Sequence, residues 1–312
     1  MVRCSDGGVV ALDWLRLDRR EADTEAIVLH LPGKVGKYGN RYISRAAEIL
    51  PFRSVVKSWR GICCDLAPES PRTETWDQRA VQDTLDVARH LKRCYPHAPL
   101  LLLGWSHGGN VALAALAQGR ELFSAGLVVS APSDLSLAIP FVEGRQWFPY
   151  AFANALAIVK EMREPNQQAL AAVMPQVAER INTVKDQLSW RNLAMHFWVR
   201  RGYGSLYHDL FTRYFSKHDS VSEYLSSLGE MVEEALPKIA VPTLCLLSED
   251  DPVTPALSFS HLLHHGSASV AFAVTKSGGH CGWFCGWSAV SWANEVALEF
   301  FQEVLQKTTP SQ

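Results

Sequence analysis

Up to Ser130, short uninterrupted apolar runs alternate with amphipathic stretches. Val9 to Asp18 alternates apolar and polar residues after the turn Asp6-Gly7-Gly8, which predicts an edge strand. Ala26 to Leu31 is continuously apolar apart from His30, the pattern of a strand buried on both faces, and Pro32-Gly33 ends it. Arg41 to Leu50 is helix-like, and Arg53 to Trp59 is a second strand closed by Arg60-Gly61. Trp76 to Cys94 carries Val81, Leu85, Ala88 and Leu91 at helical spacing, and Pro96 to Pro99 stops it. Leu100 to Leu103 is a third parallel strand, Val111 to Ala117 reads as a helix, and Ala125 to Ser130 is a fourth strand ended by Pro132.

The alternation then stops. Residues 134 to about 236 show helical patterns and no clear strand, as in Ala151 to Met162, Gln167 to Gln187 and Val221 to Leu236. It resumes with a strand at Thr243–Leu247, a helical stretch at Pro255–His265, a strand at Val270–Thr275 and an amphipathic helix at Trp287–Leu305. Strand–helix alternation on both sides of a helical block predicts an α/β fold with a mostly parallel sheet, right-handed crossovers and helices on both faces. The expected division is a core of residues 1–133 and 237–312 with a helical cap, 134–236, inserted over the carboxyl edge of the sheet, where such folds bind ligands.

Composition narrows the functional classes. The 312 residues are 47% hydrophobic and 20% charged with a net charge of −2, ordinary globular values that give no basic surface for nucleic acid. The 7 cysteines are an odd number in a chain too long to need disulfide staples, so reduced thiols and a cytoplasmic setting are expected. Cys281 and Cys285 lack further ligands at metal-binding spacing, and no metal is expected. The N-terminus lacks the apolar core of a signal peptide, and no window is apolar for the roughly 18 residues of a membrane span.

The chemistry centres on Gly104-Trp105-Ser106-His107-Gly108-Gly109-Asn110. A serine between a buried strand and a helix, with glycines two residues to either side, is the context in which G-x-S-x-G forms a nucleophile elbow. A serine hydroxyl needs a base, and the base needs an orienting acid. Asp251 follows the strand 243–247, and Asp250 is the alternative acid. His280 follows the strand 270–275 inside Gly278-Gly279-His280-Cys281-Gly282, which suits a base on a tight loop. The rival base is His107, whose ring is expected to point away from Ser106 while its backbone N–H faces a substrate oxyanion. A second oxyanion donor belongs in the loop after an early strand. In Leu31-Pro32-Gly33-Lys34, proline has no N–H and Gly33 allows the tight turn, so the amide of Lys34 is the expected donor.

These motifs together resemble the α/β-hydrolase superfamily, and within it the AB-hydrolase-4 branch of bacterial esterases, eukaryotic medium-chain phospholipases and fungal ester synthases. Asp6-Gly7-Gly8 with Leu12-Asp13-Trp14 is similar to the branch's opening DG…LDW, and Leu31-Pro32-Gly33…Gly36…Tyr42-Ile43 to its LPGLTG…YI. Ser106 with Gly108-Gly109-Asn110, Asp250-Asp251-Pro252 and Gly278-Gly279-His280-Cys281-Gly282-Trp283 resemble its G-x-S-x-GGN, DDP and GGHxGF. The resemblance implies Ser106, Asp251 and His280 as a triad, Lys34 and His107 amides as oxyanion donors, and ester hydrolysis without metal or organic cofactor.

The expected activity is therefore hydrolysis of short- to medium-chain or lipid acyl esters through an acyl-enzyme. Acyl transfer to an alcohol and a catalytically silent binding protein are the alternatives. The expected partner is a small-molecule or lipid ester, not nucleic acid. The aromatic segment Trp147-Phe148-Pro149-Tyr150-Ala151-Phe152 is read as cap core, with an acyl pocket or a transient lipid contact as the alternatives. A rate that falls as His280 is protonated, near or somewhat below neutrality, is the expected pH signature.

Overall fold

The near-continuous apolar runs become strands of one sheet. In this computed structural model residues 1–15, 26–33, 41–58, 76–144, 179, 218–286 and 290–308 are described. The strands are β1 (Val2–Arg3), β2 (Val9–Val10), β3 (Leu12–Leu15), β4 (Ile27–Leu31), β5 (Arg53–Lys57), β6 (Leu100–Trp105), β7 (Ala125–Val129), β8 (Thr243–Ser248) and β9 (Val270–Thr275), followed by the small hairpin β10 (Phe284–Cys285) and β11 (Val290–Ser291). The helices are α1 (Arg41–Ile49), α2 (Trp76–Cys94), α3 (His107–Gln118), α4 (Leu135–Gly144), α5 (Val221–Ala235) and α6 (Trp292–Thr308).

Seven strands form the main sheet in the order β3-β5-β4-β6-β7-β8-β9. Only β3 runs antiparallel to its neighbour, with Leu12 opposite Lys57 and Leu15 opposite Ser54; the other pairings are parallel. The two faces of the strands feed different cores. Ile27, Leu29, Leu31, Leu100 and Leu102 pack with α2, α3 and the end of α5. Val28, Leu101, Leu103 and Trp105 pack with α1 and α6 through Ile43, Ala47, Ala297 and Phe301. Both faces are covered, which explains why these strands lack polar alternation. After β4 the chain moves outward to β5 and then returns to the other side of β4 as β6. The carboxyl ends of β4 and β6 thus flank the point where the direction of winding reverses, the usual ligand crevice of such sheets.

Two expectations are corrected. The helical stretch 255–265 is two short 3-10 segments, Ala256–Ser258 and Ser260–His264. There the Ser258 hydroxyl donates to the Pro255 carbonyl at 2.7 Å and the Ser260 hydroxyl to the Ala256 carbonyl at 2.6 Å, local bonds that compete with a regular helix. The last helix begins at Trp292, because Val290–Ser291 pairs with Phe284–Cys285. Of the expected cap, α4 and α5 are described helices. The α5 start is capped by Ser220, whose hydroxyl accepts the Glu223 N–H. The stretches 151–162 and 167–187 and the aromatic segment 147–152 lie outside the described residues, as do Gly36, Arg60 and Gly61. Among the described residues no helix is long and apolar enough to cross a membrane.

His30 is the one polar side chain in β4. It is fully buried, set between Val56 and Leu103 in the neighbouring strands. Burial lowers its pKa to about 3, so the folded protein holds it neutral while the unfolded chain protonates it near 6.5. Stability from this site is present above pH 6.5 and is lost as the pH falls towards 3. His30→Leu is expected to gain stability over the wild type by up to about 1.4 kcal/mol per pH unit below pH 6. Urea unfolding at a series of pH values checks this, and parallel stability curves would refute it.

Candidate active site

The site begins with a backbone constraint at the end of β6. Ser106 has φ 52° and ψ −124°, a left-handed φ that costs a non-glycine residue roughly 1–3 kcal/mol. One neighbouring strand and the helix that follows hold it there: its N–H donates to the Val129 carbonyl of β7 at 2.8 Å, and its own carbonyl accepts the Gly109 N–H of α3 at 2.8 Å. The glycines make the turn sterically feasible. A Cβ on Gly104 would stand 2.7 Å from the Gly108 carbonyl oxygen and 2.8 Å from the Ala112 side chain, and one on Gly108 would collide with the carbonyl oxygens of Leu31 and Pro32. A Cβ on Gly109 would lie 2.5 Å from the Ala131 side chain. The first turn of α3 therefore sits directly against the exit of β4.

Three loops bring side chains to this point. Ser106 Oγ lies 2.9 Å from Nε2 of His280, although the two residues are 174 apart in the chain. Nδ1 of His280 lies 2.9 Å from Oδ2 and 3.1 Å from Oδ1 of Asp251. A carboxylate only accepts, so Nδ1 carries the proton and donates to Asp251, which leaves Nε2 to accept the serine hydroxyl. Asp251 has no side-chain exposure. Its charge is satisfied locally: Oδ1 accepts the N–H groups of Val253 and Thr254 at 2.8 and 2.9 Å, and Oδ2 accepts the Thr254 hydroxyl at 2.6 Å. Burial pushes its pKa up, but the His280 ring and the Thr254 bonds outweigh this and hold it below the ordinary value. Burial of the His280 ring acts downward, while the Cys281 sulfur and the Asp251 carboxylate act upward. The balance lies well above 6.5.

Asp250, the alternative acid, faces elsewhere. Its Oδ1 accepts the N–H groups of Gly278 and Gly279 at 2.9 and 2.8 Å and also meets the Ser248 hydroxyl. His107 is the first residue of α3, and its side chain is buried; helix geometry gives its amide no intrahelical acceptor. Lys34 lies outside the described residues, so only the preceding Leu31-Pro32-Gly33 of its loop is described.

Sequence reasoning missed three supports. Thr254 was detectable, because Asp-x-x-Thr at a turn favours side-chain to backbone bonding. Asn110 was noticed only as part of a motif; it is buried and pairs with Ser133 twice, Nδ2 donating to the carbonyl at 3.0 Å and Oδ1 accepting the N–H at 3.1 Å. This ties α3 to the segment leading into α4. Ser130, whose Oγ accepts the Cys281 N–H at 3.0 Å across 151 residues, left no local signal.

Residues 5–289 match the sequence profile of the alpha/beta hydrolase family. The chain belongs to the alpha/beta hydrolase family. Among curated relatives of this hydrolase, human phospholipase ABHD3 is 24% identical over 317 residues, covering 98% of this chain and 72% of the relative. The embryogenesis-associated protein EMB8 of Picea glauca is 23% identical, with 98% and 66% covered. Among solved structures, the Pyrococcus furiosus esterase Pf2001 superposes with a TM-score of 0.58 at 15% identity, over 97% of this chain and 89% of that one. Est1E of Butyrivibrio proteoclasticus, solved with ferulic acid, superposes with a TM-score of 0.56 at 13% identity, over 98% and 99%. These likenesses are to the alpha/beta hydrolase fold.

Two outcomes follow for the hydrolase. Gly108→Ala is expected to cost about 1–3 kcal/mol of stability in urea unfolding, because backbone at Leu31 and Pro32 must move; an unchanged midpoint would contradict the close approach. The His280 ring, followed by NMR, is expected to titrate above pH 6.5, and Asp251→Asn to lower that titration, since the removed charge stabilises the imidazolium. A ring that titrates identically in both proteins would refute the pairing.

Proposed function

We propose that this alpha/beta hydrolase cleaves carboxylic esters, with Ser106 as nucleophile, His280 as general base and Asp251 as the group that orients and charges the base. The observation that carries the reading is the 2.9 Å approach of Ser106 Oγ to His280 Nε2, with Nδ1 already bound to Asp251. The serine oxygen attacks the ester carbonyl carbon as its proton passes to Nε2. The carbonyl oxygen, now an oxyanion, takes hydrogen bonds from the amides of His107 and Lys34. The carbon–oxygen bond to the alcohol breaks as Nε2 returns the proton to the departing oxygen. Water then attacks the acyl-serine, giving its proton to Nε2, and the acid leaves as the serine regains its hydrogen.

The substrate class follows from chemistry and kinship. The neutral relay needs only an electrophilic carbonyl with an alkoxide leaving group. A relative named as a phospholipase supports acyl esters of lipids. The buried Asp251 carboxylate is offset by the imidazolium that forms in the transition state, which gives the acid its role beyond orientation.

A fluorophosphonate probe is expected to label the wild type and not Ser106→Ala. Hydrolysis of p-nitrophenyl esters is expected to fall on the order of 10⁴-fold or more in that variant. kcat/KM is expected to decline as the pH drops through the raised His280 pKa, because the imidazolium accepts no proton. Product analysis with an added alcohol separates hydrolysis from acyl transfer. A folded wild type that neither labels nor hydrolyses any ester of a graded chain-length series would overturn the reading.

A further inference from the structure

The loop that carries His280 adopts a backbone that its sequence alone does not favour. Gly279, Cys281 and Trp283 have φ of 61°, 56° and 47°, so left-handed residues alternate across it, two of them not glycine. Trp283 closes the loop by donating its N–H to the Gly278 carbonyl at 2.8 Å, while its indole N–H reaches the Thr275 hydroxyl at 2.9 Å. A Cβ at Gly278 would run into that indole ring. Such a loop holds one shape only where its amides meet fixed acceptors.

Those acceptors are side chains from other strand ends. On one side, Asp250 accepts the N–H groups of Gly278 and Gly279, the two residues ahead of His280. On the other, the buried Ser130 accepts the N–H of Cys281, the residue after it. Ser130 is itself held at a φ of 55°, with its N–H on the Leu246 carbonyl at 2.9 Å. The turn from Ser248 to Asp251, closed by the Asp251 N–H on the Ser248 carbonyl at 3.3 Å, sends two adjacent carboxylates to different targets. Asp251 goes to the imidazole, and Asp250 to the backbone that carries it.

We propose that Asp250 is a positioning residue for His280, fixing the loop backbone so that the imidazole stays in line between Asp251 and Ser106. The proposal rests on the reading of His280 as the general base. Asp250 is exposed, so its removal takes little from the hydrophobic core. It stays ionised below the ordinary carboxylate value, chiefly through the Ser248 hydroxyl, with slight burial opposing and the Gly279 and Gly278 amides adding to the effect. As an acceptor it needs geometry more than charge. Asn offers an amide oxygen at the same place, and Ala offers nothing.

The experiment compares wild type, Asp250→Ala and Asp250→Asn, each normalised to folded protein by circular dichroism. Asp250→Ala is expected to lower kcat about 10- to 100-fold with KM little changed, the usual cost of a misplaced catalytic group. Fluorophosphonate labelling is expected to slow in parallel, and the His280 ring titration to move down towards 6.5 as the ring leaves Asp251. Asp250→Asn is expected to restore most of all three. A merely structural role would lower the melting temperature while leaving kcat and the ring titration of the folded fraction at wild-type values, and that result overturns the proposal. An Asn variant as impaired as the Ala variant also overturns it. If the wild type itself neither labels nor hydrolyses esters, the hydrolase reading fails instead. The NMR titration of His280 in the same three proteins then tests the positioning role alone.

Discussion

The site depends on one close approach between backbones. The first turn of α3 lies against the carbonyls of Leu31 and Pro32, at a distance that excludes even a methyl group on Gly108. This contact holds the exit of β4 beside the exit of β6, the two strand ends between which the winding of the sheet reverses. A parallel sheet with both faces covered supplies the rigidity: β4, β6 and β7 are buried along their whole length. A larger residue at 108 would push Ser106 away from the Leu31-Pro32-Gly33 loop. Chemistry that uses both loops therefore rests on packing before it rests on any charge.

Electrostatics comes second and is local. A carboxylate with no exposure is costly unless its oxygens are bonded and its charge has a partner. Asp251 meets both conditions within a few residues of chain, through Val253 and Thr254, and completes its set with His280. His30 shows the opposite solution in the same sheet: burial alone holds it neutral. The same fold thus depresses one histidine and raises the other: burial alone acts on His30, whereas the Cys281 sulfur and the Asp251 carboxylate outweigh burial at His280.

Much of this was legible in the residues, for identifiable reasons. The strands at 27–31, 100–105 and 270–275 are short apolar runs bounded by breakers, and α2 runs over the 76–94 stretch its spacing predicts. Ser106 and His280 were readable because glycines surround each at a strand exit. The choice between Asp250 and Asp251 was not fixed by spacing. It turns on which way two neighbouring carboxylates point, and that depends on a loop 28 residues further on. The stretch 255–265 looked helical because its apolar spacing is helical, yet serine hydroxyls bonded to nearby carbonyls break it into 3-10 turns. Ser130 could not be found at all, because its partner is distant in sequence and the residue is an ordinary serine ending a strand.

The distribution of backbone strain ties these observations together. Among the described residues, the non-glycine residues with left-handed φ are Ser106, Ser130, Cys281 and Trp283. Each lies at or just beyond the carboxyl end of β6, β7 or β9, on the edge of the sheet that carries the hydroxyl, the imidazole and the carboxylate. Random strain would be scattered over turns throughout the molecule. Its confinement to one edge means that the strands and their two cores hold in place conformations the loops would otherwise leave. Ser106 is held by a carbonyl of β7, Ser130 by one of β8, and Cys281 by the hydroxyl of Ser130. Two of the strained residues, Ser130 and Cys281, are bonded to each other, so a change at Ser130 reaches the loop of the imidazole through a single hydrogen bond.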